Sequence, residues 1–429
     1  MKQTLVISCP ASSRSGYGDH ARDIVRSFMA MDRFDVKVMD QRWGNCPRTE
    51  LENHPDIAAL VLPPGPLQFQ PEVWVMITVP NEFVPVGSLY NIGITAGMET
   101  DKVAPEWIEG CNRMNTVIVP SQHSKIVFES IKYDRKDKEG KTVGSLELEK
   151  PIHVLFEGLD LDIYDKSDDC VSITQDIPEN FCFLSVGHWL QGSMTHDRKD
   201  IGGMIQTFIH TFKSTKNKPA LILKTSGATF SVLDREDMLN RIRSIRHSTG
   251  VHIDDQPNIY LLHGDLSTDE MNGLYNDPKV KAMVSFTHGE GFGRPLLEFG
   301  VTGKPIVAPN WSGHTDFLTN YTFKLPGELK EVDKSALQKG IIVEGSRWFY
   351  VDYGYAGKVL KDIYSKYKSF IAISRKQRKF VKDNFSIKAM DEEMKRLITE
   401  TVPEPVKLKL PKLNMPKLGN FPKLEKVNE

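Results

Sequence analysis

Short Val- and Ile-rich runs recur along this chain, separated by stretches whose apolar residues fall at helical spacing. TLVISC (4–9), FDVKVMD (34–40), VWVMITV (73–79), TVIVPS (116–121) and IHVLFEG (152–158) read as strands bounded by Gly, Pro, Asn or Asp. GDHARDIVRSFMAMD (18–32) and SQHSKIVFESI (121–131), the latter with Ser121 as N-cap, read as helices between them. Parallel strands joined by helical crossovers are covered on both faces. The alternation therefore predicts an α/β fold of doubly wound parallel sheets.

A second series starts at NFCFLSVG (180–187) and runs through strands at 220–227, 258–264, 280–286 and 305–310. Helices are expected over 200–213, 267–277 and 294–303, the middle one opened by a capping box of Ser267 and Glu270. A chain of 429 residues is too long for one ordinary core. The reading is two Rossmann-like domains facing across a cleft, residues 1–168 and 169–385, joined through a polar stretch near 160–176. A helix at about 386–400 is expected to pack back on the first domain. Residues 132–150 are charge-dense and read as an exposed loop or hairpin. Residues 402–429, with their repeated PKL, form a Pro/Lys-rich tail that cannot be helical.

The five cysteines form no CxxC pair, and no apolar run reaches the ~18 residues of a membrane span. These features point to a cytoplasmic protein. The formal net charge of -1 lacks the basic excess of a typical nucleic-acid binder, so such a partner is not favoured.

Chemistry concentrates in HGEGFGRPLLE (288–298), directly after the strand-like VKAMVSF. Pro295 suits the first turn of a helix, and the N–H groups of Phe292, Gly293 and Arg294 would be left open toward the cleft. Glu290 on the loop and Glu298 one turn into the helix can address one ligand. Carboxylates accept hydrogen bonds from sugar hydroxyls, and open amides suit phosphate oxygens. The ligand implied is part sugar and part diphosphate.

The whole stretch SFTHGEGFGRPLLEFGVTGKPIVAPNWSGHTDFL (285–318) resembles the nucleotide-sugar signature of GT-B glycosyltransferases, particularly the large retaining family 4, also called group 1. The resemblance extends over most of residues 1–400. It implies transfer of a sugar, with retention, from a UDP-, GDP- or ADP-linked donor to a hydroxyl acceptor of unknown class. It implies no cofactor and no metal. The Asp-x-Asp at 160–162 lies in FEGLDLDIY, which resembles the family's crossing between domains.

Residue by residue, Gly16 and Gly18 of SSRSGYGDHAR stand where the family's glycine loop approaches donor or acceptor. Arg198 and Lys199 match the pair that holds the diphosphate. Gly187 is followed by His188 where family members often have Arg, so a protonated His188, or Lys224, would have to make up the charge. His263, Gly264 and Leu266 match the loop around the nucleobase. Gly291, Phe292, Gly293 and Arg294 line the donor, Glu298 holds the ribose, and Glu290 orients the sugar near its C3 and C4 hydroxyls. Glu99 either binds the acceptor and the oxocarbenium-like state or is an exposed loop carboxylate. His20 and His123 carry weaker signals. Other classes stay open: a transferase acting on hydroxymethylated bases in DNA, a nucleotide-sugar epimerase, and a non-catalytic sugar-nucleotide-binding subunit.

Overall fold

The computed structural model describes residues 2–136, 139–167, 173–192, 194–227 and 229–404. From residue 405 onward the Pro/Lys-rich tail lies outside the described residues, as do Cys170 and residues 168–172 of the polar stretch.

The first sheet is built from β1 (Gln3–Cys9), β2 (Phe34–Asp40), β3 (Val73–Ile77), β4 (Tyr90–Ile94), β5 (Thr116–Val119) and, after the hairpin β6 (Tyr133–Lys136) and β7 (Thr142–Leu146), β8 (Ile152–Val154). Its order is β2-β1-β3-β4-β5-β8 and every pairing is parallel. Helices α1 (Gly16–Ala30), α2 (Pro55–Ala58), α3 (Pro105–Asn112) and α4 (Gln122–Ser130) connect the strands. One face buries Leu5, Ile7 and Val75 against α1; the other buries Val6, Trp74 and Val117 against α3 and α4. Alternate strand residues thus face opposite cores, as a two-sided sheet requires.

The second sheet comprises β9 (Cys182–Val186), β10 (Ala220–Lys224), β11 (Ile259–Leu262), β12 (Val280–Val284), β13 (Ile306–Pro309) and β14 (Phe323–Leu325). Its order, β11-β10-β9-β12-β13-β14, is that of the doubly wound nucleotide-binding fold. Helices α5 (Ile201–Phe212), α6 (Val232–Ser248), α7 (Thr268–Asn276) and α8 (Arg294–Gly300) cover it, with an antiparallel pair β15 (Gly327–Glu331) and β16 (Arg347–Val351) at its margin. The long α9 (Tyr353–Asn384) packs on α5. Helix α10 (Ile387–Thr401) then returns to the first unit, where Met390, Met394, Leu397 and Ile398 share a core with Leu5 and Ile24. Leu159 N–H to Phe385 O and Ile387 N–H to Leu159 O, both 2.8 Å, tie the two crossings of the chain together.

Several elements differ from the sequence reading. Helix α1 starts at Gly16 rather than Gly18 because the Ser15 hydroxyl caps it, accepting from Gly18 N–H. Strand β4 was not anticipated from YNIGI. Its Asn91 is buried against Asn115, and Phe83 fills the space where a Gly93 side chain would stand, 2.5 Å from the Cβ position. Helices α6 and α9 and the β15–β16 pair were also not anticipated. No helix among the described residues is long and apolar enough to cross a membrane.

Candidate functional site

In each sheet the strand order reverses once, between β1 and β3 and between β9 and β12, and ligands bind beyond the strand ends at such points. Segment 285–293 leaves β12 there. Gly293 takes φ 101°, a left-handed value that favours glycine, and starts α8 with Pro295 in its first turn. The turn at Trp311–Gly313 holds the loop from behind: Glu290 N–H donates to Ser312 Oγ (2.9 Å), and Gly313 N–H donates to Glu290 O (2.9 Å). The N–H groups of Phe292 and Gly293 make no hydrogen bond among the described residues.

Glu290 lies between two cations from the turn that precedes α5. Arg198 Nη1 donates to its Oε2 at 3.1 Å, and Lys199 Nζ donates to its Oε1. Lys199 reaches this position because Gly187, at the exit of β9, has no side chain: a Cβ there would stand 2.9 Å from Lys199 Cε. Burial opposes ionisation of Glu290, but Lys199 and Arg198 outweigh it and pull its carboxyl down to about 2. Glu99 comes from the first domain, with its Oε1 3.9 Å from Arg198 Nη1. The cluster therefore holds two cations and two carboxylates, drawn from both domains.

A second cluster forms around Arg294, whose side chain is taken up by carboxylates. Its Nη1 lies 2.9 Å from Asp23 Oδ2 and 3.7 Å from Glu157 Oε2, and its Nε lies 3.5 Å from Glu298 Oε1. Glu298 also accepts from Tyr275 Oη at 2.8 Å. Burial raises Glu298 and Glu157 each to about 7, against the pull of Arg294, because one cation cannot balance three carboxylates. His20, buried beside this cluster, is pushed down to about 3 by burial and by Arg294.

The two domains touch through backbone at this place. A Cβ on Gly291 would stand 2.1 Å from Ala96 O, and one on Gly289 would stand 1.9 Å from Glu99 O. Ser121 Oγ donates to Gly291 O (2.7 Å), and Gln122 N–H donates to Asp316 Oδ2 (2.8 Å). Arg14 crosses from the first domain to Asp265 Oδ1 (2.9 Å) and Leu266 O (2.5 Å).

The remaining predicted residues flank these clusters. Lys224, at the end of β10, donates to Gly264 O (2.7 Å), and Gly264 itself takes φ 122°. His263 Nε2 lies 2.7 Å from Asp234 Oδ2, and both Asp234 oxygens accept from Gly227 N–H. Gly16 faces open space, whereas a Cβ on Gly18 would meet Ser13 O at 2.1 Å. Burial, then Lys199 and Arg198, hold His188 below the ordinary histidine value. His123 stacks edge-on to Trp311, with ring centroids 4.7 Å apart.

Sequence reading missed Asp23, Glu157, Arg14, Ser312 and Asp234 as members of the site. Asp23 sits one turn beyond the glycine loop, and Glu157 lies in FEGLDLDIY, where the family pattern carries no acid to flag it. Their pairing with Arg294 becomes visible only once the domains close. Among the described residues no group of three or more His, Cys, Asp or Glu side chains is arranged to hold a metal ion.

No family model matches the chain, and no curated protein matches it. Solved structures do. A glycosyltransferase from Rickettsia africae ESF-5 is similar at 13% identity and a TM-score of 0.60, covering 94% of this chain and 100% of that one. Anabaena Alr3699/HepE in complex with UDP-glucose is similar at 14% identity and TM-score 0.60, covering 93% and 100%. The sucrose-phosphate synthase from Thermosynechococcus elongatus is similar at 12% identity and TM-score 0.60, covering 93% and 99%. At such identities the likeness speaks for architecture: the chain has the GT-B fold, two Rossmann-like domains facing one another across a cleft.

Proposed function

We propose that the protein is a glycosyltransferase that moves a sugar, with retention, from a nucleotide-diphosphate sugar to a hydroxyl acceptor. The observation that carries this reading is Glu290 held between Arg198 and Lys199 at the exits of β9 and β12, with Glu99 facing it from the other domain. Support also comes from the similar fold of HepE, which is solved with UDP-glucose.

In this reading Glu290, ionised well below neutral pH, accepts hydrogen bonds from hydroxyls of the donor sugar and fixes its orientation. Arg198, Lys199 and the N–H groups at the start of α8 meet the diphosphate. The bond between the anomeric carbon and the diphosphate oxygen breaks. The acceptor oxygen then bonds to that carbon on the same face, and its proton passes to the departing phosphate. Negative charge grows on the leaving group, where fixed cations in a partly buried site stabilise it most. Glu298 holds the ribose, Glu99 faces the acceptor, and the protein's own cations do what a divalent ion does elsewhere.

Thermal unfolding in the presence of UDP-, GDP- and ADP-sugars tests the reading. A ligand that binds only the folded state at a hundredfold excess over its Kd stabilises it by about 2.7 kcal/mol. At least one donor should raise Tm by several degrees, and no shift from any of them would refute the proposal.

A further inference from the structure

Outside the cleft clusters, a groove of about 710 Å³ lies in the first domain. Its floor follows from register: Met39 on β2 and Met76 on β3 both pair with Ser8 on β1, which puts the three in one row, with Trp74 a step below. The β2–β3 connection packs Ile57 into the α1 side of the sheet, and on the opposite face loop residues between 67 and 71 and at 84 and 86 border this row. One wall is Leu67 to Pro71 and the other Val84 to Val86. Gln70 donates across them to Gly87 O, and Trp74 Nε1 donates to Val84 O at 3.0 Å, so the groove is braced.

Two properties of the lining select its occupant. Among the described residues that line it there is no Asp, Glu, Lys, Arg or His. Phe69 (40% exposed) and Val84 (57%) nevertheless present apolar surface to solvent. The polar members are Gln41, Gln68 and Gln70. Their NH2 groups donate within the protein, and their amide oxygens accept nothing among the described residues. A groove of this size, in the range of small-molecule sites, with an apolar floor and acceptor atoms, fits an uncharged molecule with hydroxyl groups. Among the described lining residues a phosphorylated or carboxylated ligand would find no cation.

From the edge of the groove a chain of contacts leads to the cleft. Gln41 lines it, and Trp43, two residues on, stacks on Tyr17 with ring centroids 4.0 Å apart. Tyr17 Oη in turn accepts from Ala96 N–H (3.0 Å), whose carbonyl abuts Gly291.

We infer that this groove seats the body of the acceptor, an uncharged and largely apolar molecule such as an aryl alcohol or aryl glycoside. The inference rests on the reading of the cleft as a nucleotide-sugar site.

Calorimetry with 4-nitrophenyl β-D-glucopyranoside, glucose 6-phosphate and the nucleotides UDP, GDP and ADP tests it. The variants are Phe69→Asp and Val84→Asp, both at exposed positions. The expected result is measurable binding of the aryl glucoside, weakened at least tenfold in either variant while UDP affinity stays the same. Absent binding of the aryl glucoside, or binding indifferent to both substitutions, with UDP still bound, overturns the groove and leaves the donor reading intact. Glucose 6-phosphate bound in preference, and lost in the variants, overturns the chemical class. Failure of UDP, GDP and ADP alike to bind in the same calorimetry, while the aryl glucoside binds at the groove, overturns the donor reading and with it the acceptor role.

Discussion

Arg294, in the first turn of α8, donates from Nη1 to Asp23 Oδ2 on α1 at 2.9 Å, so one ion pair joins the helix that follows the candidate donor loop to the opposite domain. Both side chains are largely shielded from solvent. Glu157 and Glu298 lean on the same guanidinium at 3.7 and 3.5 Å.

Removing one partner of a buried pair costs about 3–5 kcal/mol when the other charge is stranded. Arg294 would not be stranded, because two carboxylates remain beside it. Asp23→Ala is therefore expected to destabilise the folded protein by only about 1–3 kcal/mol. The larger effect should fall on domain closure. Small-angle scattering should give a larger radius of gyration for the variant than for wild type, and an unchanged radius would show that the pair does not hold the domains together.

How much of this was legible in the sequence depends on what each residue answers to. The alternation of β-branched runs with helical spacing specified two wound sheets, because burial on both faces imposes a composition on the strands themselves. The capping box at Ser267 and Glu270 and the cap at Ser121 were readable for a similar reason: each answers to local N–H groups. Strand β4 was not readable, since its Asn91 and Gly93 make sense only against Asn115 and Phe83. In the site, Glu290 and Glu298 stood out by spacing and by resemblance. Asp23 and Glu157 did not, because their partner is supplied across a domain interface that no local pattern encodes. His188 shows the converse: its position suggested a cation, and only the packed surroundings reveal that burial, Lys199 and Arg198 lower its basicity.

Glu157 gives a prediction with a definite sign in pH. Burial, which outweighs the pull of Arg294, raises its carboxyl from 4.5 to about 7. Below pH 4.5 both folded and unfolded states are protonated and the group contributes nothing. Above pH 7 both are ionised, and the folded state carries the whole cost of the buried charge. Its contribution is thus destabilising and grows as pH rises from 4.5 to 7, to roughly 3 kcal/mol. Glu157→Gln should therefore match wild type near pH 4.5 and exceed it in stability at pH 8. Urea unfolding at the two pH values checks this, and an equal difference at both would contradict the assignment.

Glu290 and Glu298 should separate in kinetics. Glu290→Gln keeps the shape but leaves Arg198 and Lys199 without their carboxylate, beside the carbon proposed to react. Turnover, followed as UDP release from a UDP-sugar, should fall by about 10²–10³ with the Kd for UDP within about threefold of wild type. Glu298→Ala should instead raise the Kd for UDP about tenfold by removing the proposed ribose contact. Equal UDP affinity in wild type and Glu298→Ala would sink the ribose assignment.

Gly291 offers a test of closure that leaves the charges alone. A methyl group there would stand 2.1 Å from Ala96 O, a backbone atom of the other domain that cannot swing aside as a side-chain end would. The three nearest atoms to its Cβ position, its two chain neighbours aside, are all at residues 96 and 97 of the other domain. Gly291→Ala should therefore leave each domain folded while holding the two apart. That separation would draw Glu99 away from Arg198 and Ser121 away from Gly291 O. The expected outcome is at least a tenfold loss of turnover with UDP still bound, because the diphosphate-side residues all belong to the second domain. Scattering should show a more open particle whose radius no longer contracts when UDP is added. Full activity in Gly291→Ala would mean that the contact between Gly291 and Ala96 is no part of the state in which transfer occurs.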